Sequence, residues 1–588
     1  MSAYREIHML RSSVLGTALA VALMVTGGCN LNIENPNAPD KNRAFADPAG
    51  LAKLMSGAFR TWVGTRGDYY GALPMTAMAD NYTASWNNAA IRFYNSVGSD
   101  CPSRCGWTNS ATAPEAAGGP SVESQWYGYY TVLVSANAVL SGIKNGVCFD
   151  DDCTADSSLT VRNKAVAKML QGMALAGVSL VYDQGFVVDE NTDLTNISSI
   201  PFSTRAEVRD AALQKFDEAW TAAGVATWLT ENEWAGVDAG QAYTNTQIQQ
   251  LIRTMQAELI AMWPRNGAEN VAAAWAQVVT DASQGVSSGT PFDFQYYVDI
   301  TGRECGDLDC VKTWGNSIGT MRVDTRVAAM ITTNHVSPWP DPAGNPCPTV
   351  SPDKRVGDGS YGPTDDFNGY STVAATANAG TDFACSGVAI FPPARGQYHQ
   401  SNLQHIRYQD LAYRGEDLPT ADGTGQDPLY TRQMNDLLWA EGLIRSGGDK
   451  ALAAQLINNS RFGRGGLTAL TGGEADTVLL DALHYEQEIE FMGQGPTPFF
   501  NRRRIEGLTF SSKSGLFDQT GTPRQMPVPA KEMDVLQRAT YTFGGPNAPD
   551  MVSRTGGGTT ATRDSRRTVG QIWDEYLAVR RAMSGRHF

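Results

Sequence analysis

Histidine and positive charge are scarce in this chain of 588 residues. It has 6 His, one of them (His8) near the start, and 46 Lys plus Arg against 61 Asp plus Glu, which gives a formal net charge of −15. Histidine is the usual side chain for general-base chemistry near neutral pH, so little material is available for it. A nucleic-acid binder needs a basic surface to neutralise phosphates, and the charge balance argues against that class. We expect no cofactor, and the sequence leaves metal binding open.

The N-terminus carries an export signal. Arg5 and Arg11 precede an uncharged, apolar segment that ends in small residues at Gly28. This segment is shorter than the roughly 20 apolar residues of a membrane-spanning helix, so we interpret residues 1–28 as a signal peptide. The step into Cys29 resembles a bacterial lipobox, which predicts cleavage before Cys29 and its acylation. Acyl chains gain about 0.8 kcal/mol per methylene buried in a membrane, so two or three of them would anchor the protein.

The residue after Cys29 bears on which membrane holds the protein. Asn30 stands where lipoproteins retained at the inner membrane commonly carry Asp, so the outer membrane is favoured. The alternative is an ordinary secretory leader with an incidental cysteine. We expect no later apolar run to be long enough to span a bilayer.

Cysteine use agrees with export. Eight cysteines remain beside Cys29, and an even count in an exported chain predicts disulfides. The spacing suggests four pairs: Cys101 with Cys105, Cys148 with Cys153, Cys305 with Cys310, and Cys347 with Cys385. A metal site would need His ligands or C-x2-C spacing, and neither accompanies these cysteines. Each short bridge is worth roughly 2 kcal/mol and is expected to hold a loop rather than the core.

Most of the chain is predicted to be helical. Apolar residues recur every three or four positions in long stretches such as 125–143 and 162–182, and small residues recur within them. Tight helix pairing needs small residues, and helical pairs of this size are typical of tetratricopeptide-like repeats. We therefore predict a mainly α protein whose helical-pair scaffold covers about 45–285 and 428–495.

The segment from about 286 to 427 has a different composition. Gly, Pro, Asp and Thr dominate it, with Trp and Tyr interspersed. An unstructured loop of this length is improbable inside a compact domain. We expect a loop-rich aromatic subdomain laid on the helical scaffold, and a single domain over 29–588.

Local signals predict where several helices begin and end. A further helix is expected over 269–285, and Asn, Asp, Ser and Thr are favoured helix caps. Three sets of residues mark starts: Asp47-Pro48, Thr204 with Glu207, and Thr246 with Gln249.

Five segments between Cys29 and about residue 535 form an ordered pattern. They are Glu34-Asn35-Pro36-Asn37, Val178–Phe186, Leu437–Leu467, the Glu-rich stretch 479–495, and Met526-Pro527-Val528-Pro529. In this order they resemble the SusD/RagB family of outer-membrane lipoproteins. Two departures put the subfamily and the ligand in question: Arg502-Arg503-Arg504 replaces the usual run after the Glu-rich stretch, and the C-terminal tail is atypical.

The resemblance implies a SusD-like fold and a role. Proteins of this family are lipid-anchored in the outer membrane and face the outside of the cell. They sit on a SusC-like TonB-dependent transporter, capture oligosaccharides or, in RagB-like branches, peptides, and pass them to the barrel. They are binding proteins, not enzymes. We therefore expect a nutrient-uptake lipoprotein, with a peptide binder of the same fold or a surface glycoside hydrolase as alternatives.

Two loop segments offer the aromatic faces and polar groups that a sugar binder needs. One runs from Asp68 to Trp107 and the other from Phe292 to Trp314, with Cys101–Cys105 and Cys305–Cys310 as braces. The residues selected as ligand contacts are Asp80, Asn81, Trp86, Arg92, Trp107, Tyr296 and Trp314. The alternative is that many of these side chains cover the helical scaffold.

Three charged motifs carry weaker hypotheses. Glu486 and Glu490 lie four residues apart on one helix and could act as paired carboxylates of a glycosidase, although a structural role is favoured. Asp150, Asp151 and Asp152 could bind calcium or form an exposed acidic turn. The arginine run 502–504 could contact phosphate or the partner barrel, or end a helix.

Overall fold

The structure, a computed structural model, describes the greater part of the chain. The described residues are 46–83, 91, 94, 109, 121–151, 153–154, 157–236, 240–298, 309–316, 321–331, 351–356, 380–385, 401, 403–408, 411, 425–505 and 522–541. The elements below belong to one compact unit that begins at Pro48.

The first part of the scaffold consists of long helices that pack in chain order. The helices are α1 (Pro48–Arg66), α2 (Ala72–Met78), α3 (Ser121–Lys144), α4 (Ser158–Val181), α5 (Arg205–Ala223) and α6 (Asn245–Met262). Helix α1 packs on α3, α3 on α4, α4 on α5, and α5 on α6. The prediction of a mainly α, helical-pair scaffold is confirmed.

Two of the three predicted helix starts are confirmed, and the third lies two residues earlier than predicted. Helix α1 begins at Pro48, and Thr204 and Glu207 form the capping box of α5. The second box is formed by Thr244 and Gln247, two residues before the predicted pair. Since Thr230 donates its N–H to the carbonyl of Tyr243 (2.8 Å), the chain is held in an extended bridge just before α6 begins.

The single helix expected over 269–285 is two short helices. They are α7 (Gly267–Val271) and α8 (Trp275–Ala282). The indole N–H of Trp275 donates to the carbonyl of Asn270 (2.7 Å), at the end of α7. The prediction was therefore wrong on continuity, because this side-chain bond stabilises the break between the two helices.

The described parts of 286–427 hold two short helices and several strands. The helices are α9 (Cys310–Gly315) and α10 (Thr325–Ile331). The strands among the described residues are β1 (Tyr82–Thr83), β2 (Gln184–Gly185), β3 (Ser203–Thr204), β4 (Phe294–Val298), β5 (Arg322–Val323), β6 (Phe383–Cys385), β7 (Leu403–His405) and β8 (Gly425–Tyr430). They form antiparallel pairs: β1 with β5, β2 with β3, β4 with β8, and β6 with β7.

The scaffold resumes after β8. Its helices are α11 (Arg432–Ser446), α12 (Lys450–Arg461), α13 (Asp476–Glu490), α14 (Thr497–Arg504) and α15 (Ala530–Val535). Helix α11 packs on α8, α12 and α13. A separate apolar cluster, which includes Leu437, Ile457 and Leu483, fills the space between α11, α12 and α13.

Small residues allow close helix approach in the core, as the sequence predicted. A Cβ added at Gly172 of α4 would lie 2.6 Å from the ring of Phe216 in α5. A Cβ at Gly177 would lie 2.4 Å from the ring of Tyr129 in α3. Each glycine therefore admits an aromatic ring from a neighbouring helix.

Among the described residues, α4 is the helix that is long and apolar enough to cross a membrane. By length and composition it could cross a membrane, with a mean hydropathy of 1.2, so the expectation of no such run was wrong. However, 89% of this stretch is buried inside the protein, where α3 and α5 cover it. Its apolarity is that of a core helix.

The structure describes part of the predicted disulfide set. Cys148 and Cys153 are bridged, which confirms that pair. Cys310 is disulfide-bonded, and its predicted partner lies outside the described residues. Cys385 ends β6, but its side chain is not among those described. The remaining predicted cysteines lie outside the described residues, as does the predicted lipidation site: Cys101, Cys105, Cys305, Cys347 and Cys29.

Candidate functional site

The two aromatic-rich loop segments of the sequence meet in the fold. The N–H of Cys310, at the start of α9, donates to the carbonyl of Gly67, at the end of α1 (2.9 Å). A Cβ at Gly67 would lie 2.5 Å from Asp309 Oδ1, so this close approach needs a glycine. Further along, Tyr82 of β1 pairs with Val323 of β5.

An aromatic cluster occupies this junction, and we call Tyr69, Tyr70 and Trp314 the junction cluster. The ring of Tyr69 meets Tyr70 at 4.9 Å and Trp314 at 5.1 Å between centroids, both edge-on. Trp314 is only 2% exposed, whereas the two tyrosines are half-buried. Edge-to-face contacts stabilise such rings. Trp314 is thus a buried floor, and the tyrosines keep part of their surface in solvent.

A turn at Asp68 positions the two tyrosines. Asp68 Oδ2 accepts the N–H of Gly71 (2.5 Å), and Oδ1 accepts the hydroxyl of Ser124 in α3 (2.8 Å). Burial raises the pKa of Asp68 to about 6, although the hydrogen bonds from Ser124 and the turn backbone oppose this shift. Asp68 is not among the residues selected as ligand contacts. An Asp three residues before a Gly is the sequence signal that indicates such a turn.

Asp80 and Asn81, selected as ligand contacts, point into the protein. Both are buried, at 1% and 0% exposure. Asp80 lies 3.7 Å from the guanidinium of Arg502, and the amide of Asn81 donates to Glu488. Glu488 also pairs with Arg326. These polar groups belong to a buried ion cluster that joins β1 to α10, α13 and α14.

The other selected residues divide between buried and undescribed positions. Tyr296 lies in β4 and is 1% exposed. For Asp80, Asn81, Tyr296 and Trp314, burial favours the alternative that they cover the scaffold. Ligand contact at the remaining positions stays a prediction, because they lie outside the described residues: Trp86, Arg92 and Trp107. The structure thus moves the candidate site from the selected residues to the half-exposed tyrosines beside them.

Helix α13 carries buried carboxylates that are held by arginines. Glu486 accepts from Arg355 (2.8 Å), and Glu490 accepts from Arg407 (2.7 Å) and pairs with Arg464. Burial opposes ionisation of Glu490, but these arginines prevail and lower its pKa to about 2. Burial instead raises the pKa of Glu486, although Arg355 opposes this shift. Since both carboxylates are enclosed and paired with arginines, the arrangement supports the structural role.

The arginine run in α14 is also internal. Arg502, Arg503 and Arg504 are each 0% exposed. Arg504 forms a two-pronged pair with Glu441 of α11 (2.7 and 2.6 Å), and Arg503 donates to the carbonyl of Leu180 (2.8 Å). The hypothesis that this run contacts phosphate or a partner is wrong, since the three side chains tie helices together.

Asp150 caps a helix, and Asp152 of the predicted acidic set lies outside the described residues. Asp150 Oδ1 accepts the N–H of Leu159 (3.0 Å), and its Oδ2 accepts the N–H and hydroxyl of Thr160 (2.8 and 2.9 Å). These groups are orphan donors at the start of α4. No group of His, Cys, Asp or Glu within the described part of the chain is arranged to hold a metal ion.

Two further features bear on catalysis and on enclosed ligands. The chain contains a G-x-S-x-G pattern at 315–319, and its first glycine is the last residue of α9. A nucleophile elbow, in contrast, follows a strand and begins a helix.

A cavity of about 40 Å³ lies beside Arg66, Glu258 and Tyr430. Pockets for small molecules measure roughly 300–1,000 Å³, so this cavity suits water.

The fold matches solved structures, although no protein-family model and no curated protein matches the chain. A SusD homolog from Bacteroides thetaiotaomicron superposes with a TM-score of 0.53 at 14% identity, over 86% of this chain and 99% of that one. A SusD superfamily protein from Bacteroides vulgatus gives a TM-score of 0.53 at 13% identity, over 83% and 97%.

A SusD superfamily protein from Parabacteroides distasonis is similar to the same degree. Its TM-score is 0.52 at 11% identity, over 83% of this chain and 97% of that one. These likenesses extend over nearly the whole length of the solved chains, and identities this low bear on the fold alone. The resemblance read from the sequence is thereby confirmed at the level of fold.

Proposed function

We propose that this chain, which has the fold of SusD superfamily proteins, is a surface lipoprotein that binds oligosaccharides and delivers them to a SusC-like TonB-dependent transporter. The observation that carries the proposal is the junction cluster: two half-exposed tyrosines beside a buried tryptophan, in the place where the aromatic-rich loop segments converge. Aromatic faces stack on the apolar faces of sugar rings, and a rigid floor keeps their orientation.

A sugar site also needs polar side chains that bind the hydroxyl groups of the sugar. A short segment that follows Tyr70 in the sequence contains Trp86, Asn87, Asn88 and Arg92. Amides and guanidinium groups are suited to sugar hydroxyls. We therefore infer that Tyr69 and Tyr70 form one wall of the site and that this segment contributes its polar contacts.

Two further features support the proposal. The first concerns binding as opposed to hydrolysis, and the second concerns the location of the protein. The three Glu side chains of α13 are buried, and each is engaged by an arginine. The predicted leader and Cys29 support a lipid-anchored, outward-facing location on the outer membrane. That location is the one from which a captured ligand could enter a transporter barrel.

The first experiment measures glycan binding by matched variants. Tyr69→Ala and Tyr70→Ala should each weaken binding to an oligosaccharide panel about two- to tenfold, since an aromatic contact is worth roughly 0.5–1.5 kcal/mol. Tyr127→Ala is the control, because Tyr127 is a half-buried tyrosine of α3 whose ring lies near Lys531. Equal binding by all variants would contradict the site, and binding of peptides in place of glycans would favour the RagB-like alternative.

The second experiment tests the partner. The native lipoprotein is captured from gently solubilised outer membranes and its companions are identified by mass spectrometry. We expect a TonB-dependent barrel in equimolar amount. A protein recovered alone, with turnover of an oligosaccharide, would favour the glycosidase.

A further inference from the structure

A lysine and an aspartate from distant parts of the chain meet in the interior beside the junction cluster. Lys312 lies in α9 and Asp427 in β8, and both side chains are 0% exposed. Lys312 Nζ lies 2.6 Å from Asp427 Oδ1. Apart from this contact, no described residue donates a hydrogen bond to either carboxylate oxygen of Asp427. The lysine is thus the polar partner of this carboxyl group in the interior.

A second carboxylate completes the group. Asp309 caps α9 by accepting the N–H of Lys312 through Oδ1 (3.0 Å), and its Oδ2 lies 3.1 Å from Lys312 Nζ. Asp309 is 2% exposed. Gln494 Oε1 lies 3.4 Å from the same nitrogen, and the ring of Tyr408 covers it at 5.3 Å. An amine, a carboxyl group and a proton acceptor are therefore enclosed together, away from bulk water.

From this arrangement we infer that Lys312 and Asp427 become joined by an intramolecular isopeptide bond, with Asp309 carrying the protons. The lone pair of Nζ forms a C–N bond to Cγ of Asp427, and one C–O bond of that carboxyl group breaks. Two of the three ammonium protons pass through Asp309 to the departing oxygen, which leaves as water. The amide nitrogen keeps one proton, and the pair is neutral before and after the reaction.

Burial favours this product over the ion pair. Two buried charges each cost several kcal/mol in lost hydration, and a neutral amide removes both. Burial raises the pKa of Asp427 to about 6, although Lys312 opposes this shift. Burial also lowers the pKa of Lys312, but the two aspartates outweigh it and leave the pKa raised. The amine therefore starts charged, and a carboxylate within reach must accept its proton before it attacks.

The bond would brace the candidate site. It would join α9, whose Trp314 is the floor of the junction cluster, to β8, which pairs with β4 and leads into α11. Such a link closes a loop of more than a hundred residues and is independent of the disulfides. It would hold the floor of the site to the β4–β8 pair. The inference does not depend on what the site binds.

Peptide mapping of the full chain tests the bond without any variant. After reduction and denaturation, trypsin should fail to cleave after Lys312 and should release 304–322 joined to 415–432, lighter by one water than the two peptides together. Lys168 is the internal control, because it is a buried, ion-paired lysine (Nζ to Glu190 Oε1, 2.9 Å) that must still be cleaved. Separate peptides with cleavage after Lys312 would overturn the inference and leave an ion pair only.

Three variants test the chemistry. Asp427→Asn should give the same joined peptides as the natural chain, because ammonia leaves in place of water. Asp427→Ala should give none. Asp309→Ala should leave most of the chain unlinked, and linkage equal to that of the natural chain would overturn the role of Asp309.

Discussion

Tyr69 lies edge-on against Trp314, with 5.1 Å between ring centroids, although the two residues come from opposite ends of a long stretch of sequence. The contact divides the aromatic residues of the candidate site into two kinds. Trp314 is buried and supports, whereas Tyr69 and its neighbour Tyr70 keep an exposed part. Substitutions at the two kinds of position should therefore have different effects.

Trp314→Ala should lower stability rather than act on binding alone. Removal of a buried tryptophan leaves a cavity and costs about 3–5 kcal/mol. Urea denaturation measures this difference, and Tyr70→Ala is the matched variant with a much smaller expected loss. A Trp314→Ala protein as stable as the natural chain, with weakened glycan binding, would instead assign Trp314 to the ligand.

Gly172→Ala should destabilise the protein although alanine is the better helix former. Alanine gains about 1 kcal/mol in helix propensity, but forcing a methyl group against Phe216 costs about 1–3 kcal/mol. Gly57→Ala in α1 is the control, because nothing lies within 4 Å of its added Cβ, and it should stabilise by about 0.5–1 kcal/mol. Two thermal melts decide the comparison, and a stabilising Gly172→Ala would contradict the close packing of α4 on α5.

The helical scaffold was predictable because its signals are local. The apolar spacing of α3 and α4, the start of α1 at Pro48 and the box at Thr204 each depend on residues within one or two turns. The break between α7 and α8 is stabilised by a side-chain bond from Trp275 to the carbonyl of Asn270, which the helical spacing of apolar residues does not reveal although the two residues are only five apart.

The site was less predictable because burial is decided by distant partners. Asp80 and Asn81 look like exposed polar loop residues, yet Arg502 and Glu488, from far along the chain, enclose them. Glu486, Glu488 and Glu490 lie at alternate positions of α13. A regular helix with this spacing points such side chains in different directions, as if towards solvent. Arginines that come from segments far apart in the chain make each of them internal, and the sequence alone does not say which arginine meets which carboxylate.

The Cys148–Cys153 disulfide and the Asp150 cap should stabilise the start of α4 together. The disulfide closes the turn that holds Asp150 against the start of α4. Asp150→Ala should cost about 1 kcal/mol as a lost cap, and Cys148→Ser with Cys153→Ser about 2 kcal/mol.

The combination of these changes should cost less than their sum, because without the bridge the cap is no longer held in place. Urea denaturation of the four proteins gives the coupling directly. Additive losses would mean that Asp150 caps α4 without help from the disulfide.

Glu490 should make the fold sensitive to acid. The carboxylate is enclosed by Arg407, Arg464 and Arg355, and their charges outweigh the effect of burial to hold its pKa at about 2. A folded-state pKa below the unfolded one gives stability that is complete above about pH 4.5 and is lost as the pH falls towards 2. The contribution of Glu490 to the free energy of unfolding should therefore decline from about pH 4.5 to about pH 2.

Glu490→Gln removes the charge and should flatten that decline. At pH 7 the variant should lose at most about 3–5 kcal/mol, because Arg355, Arg407 and Arg464 each lose one carboxylate partner but keep another. Glu233→Gln, at an exposed position, is the control and should follow the natural chain at every pH. Chemical denaturation at a series of pH values measures all three, and parallel pH profiles for Glu490→Gln and the natural chain would show that Glu490 does not set the acid sensitivity.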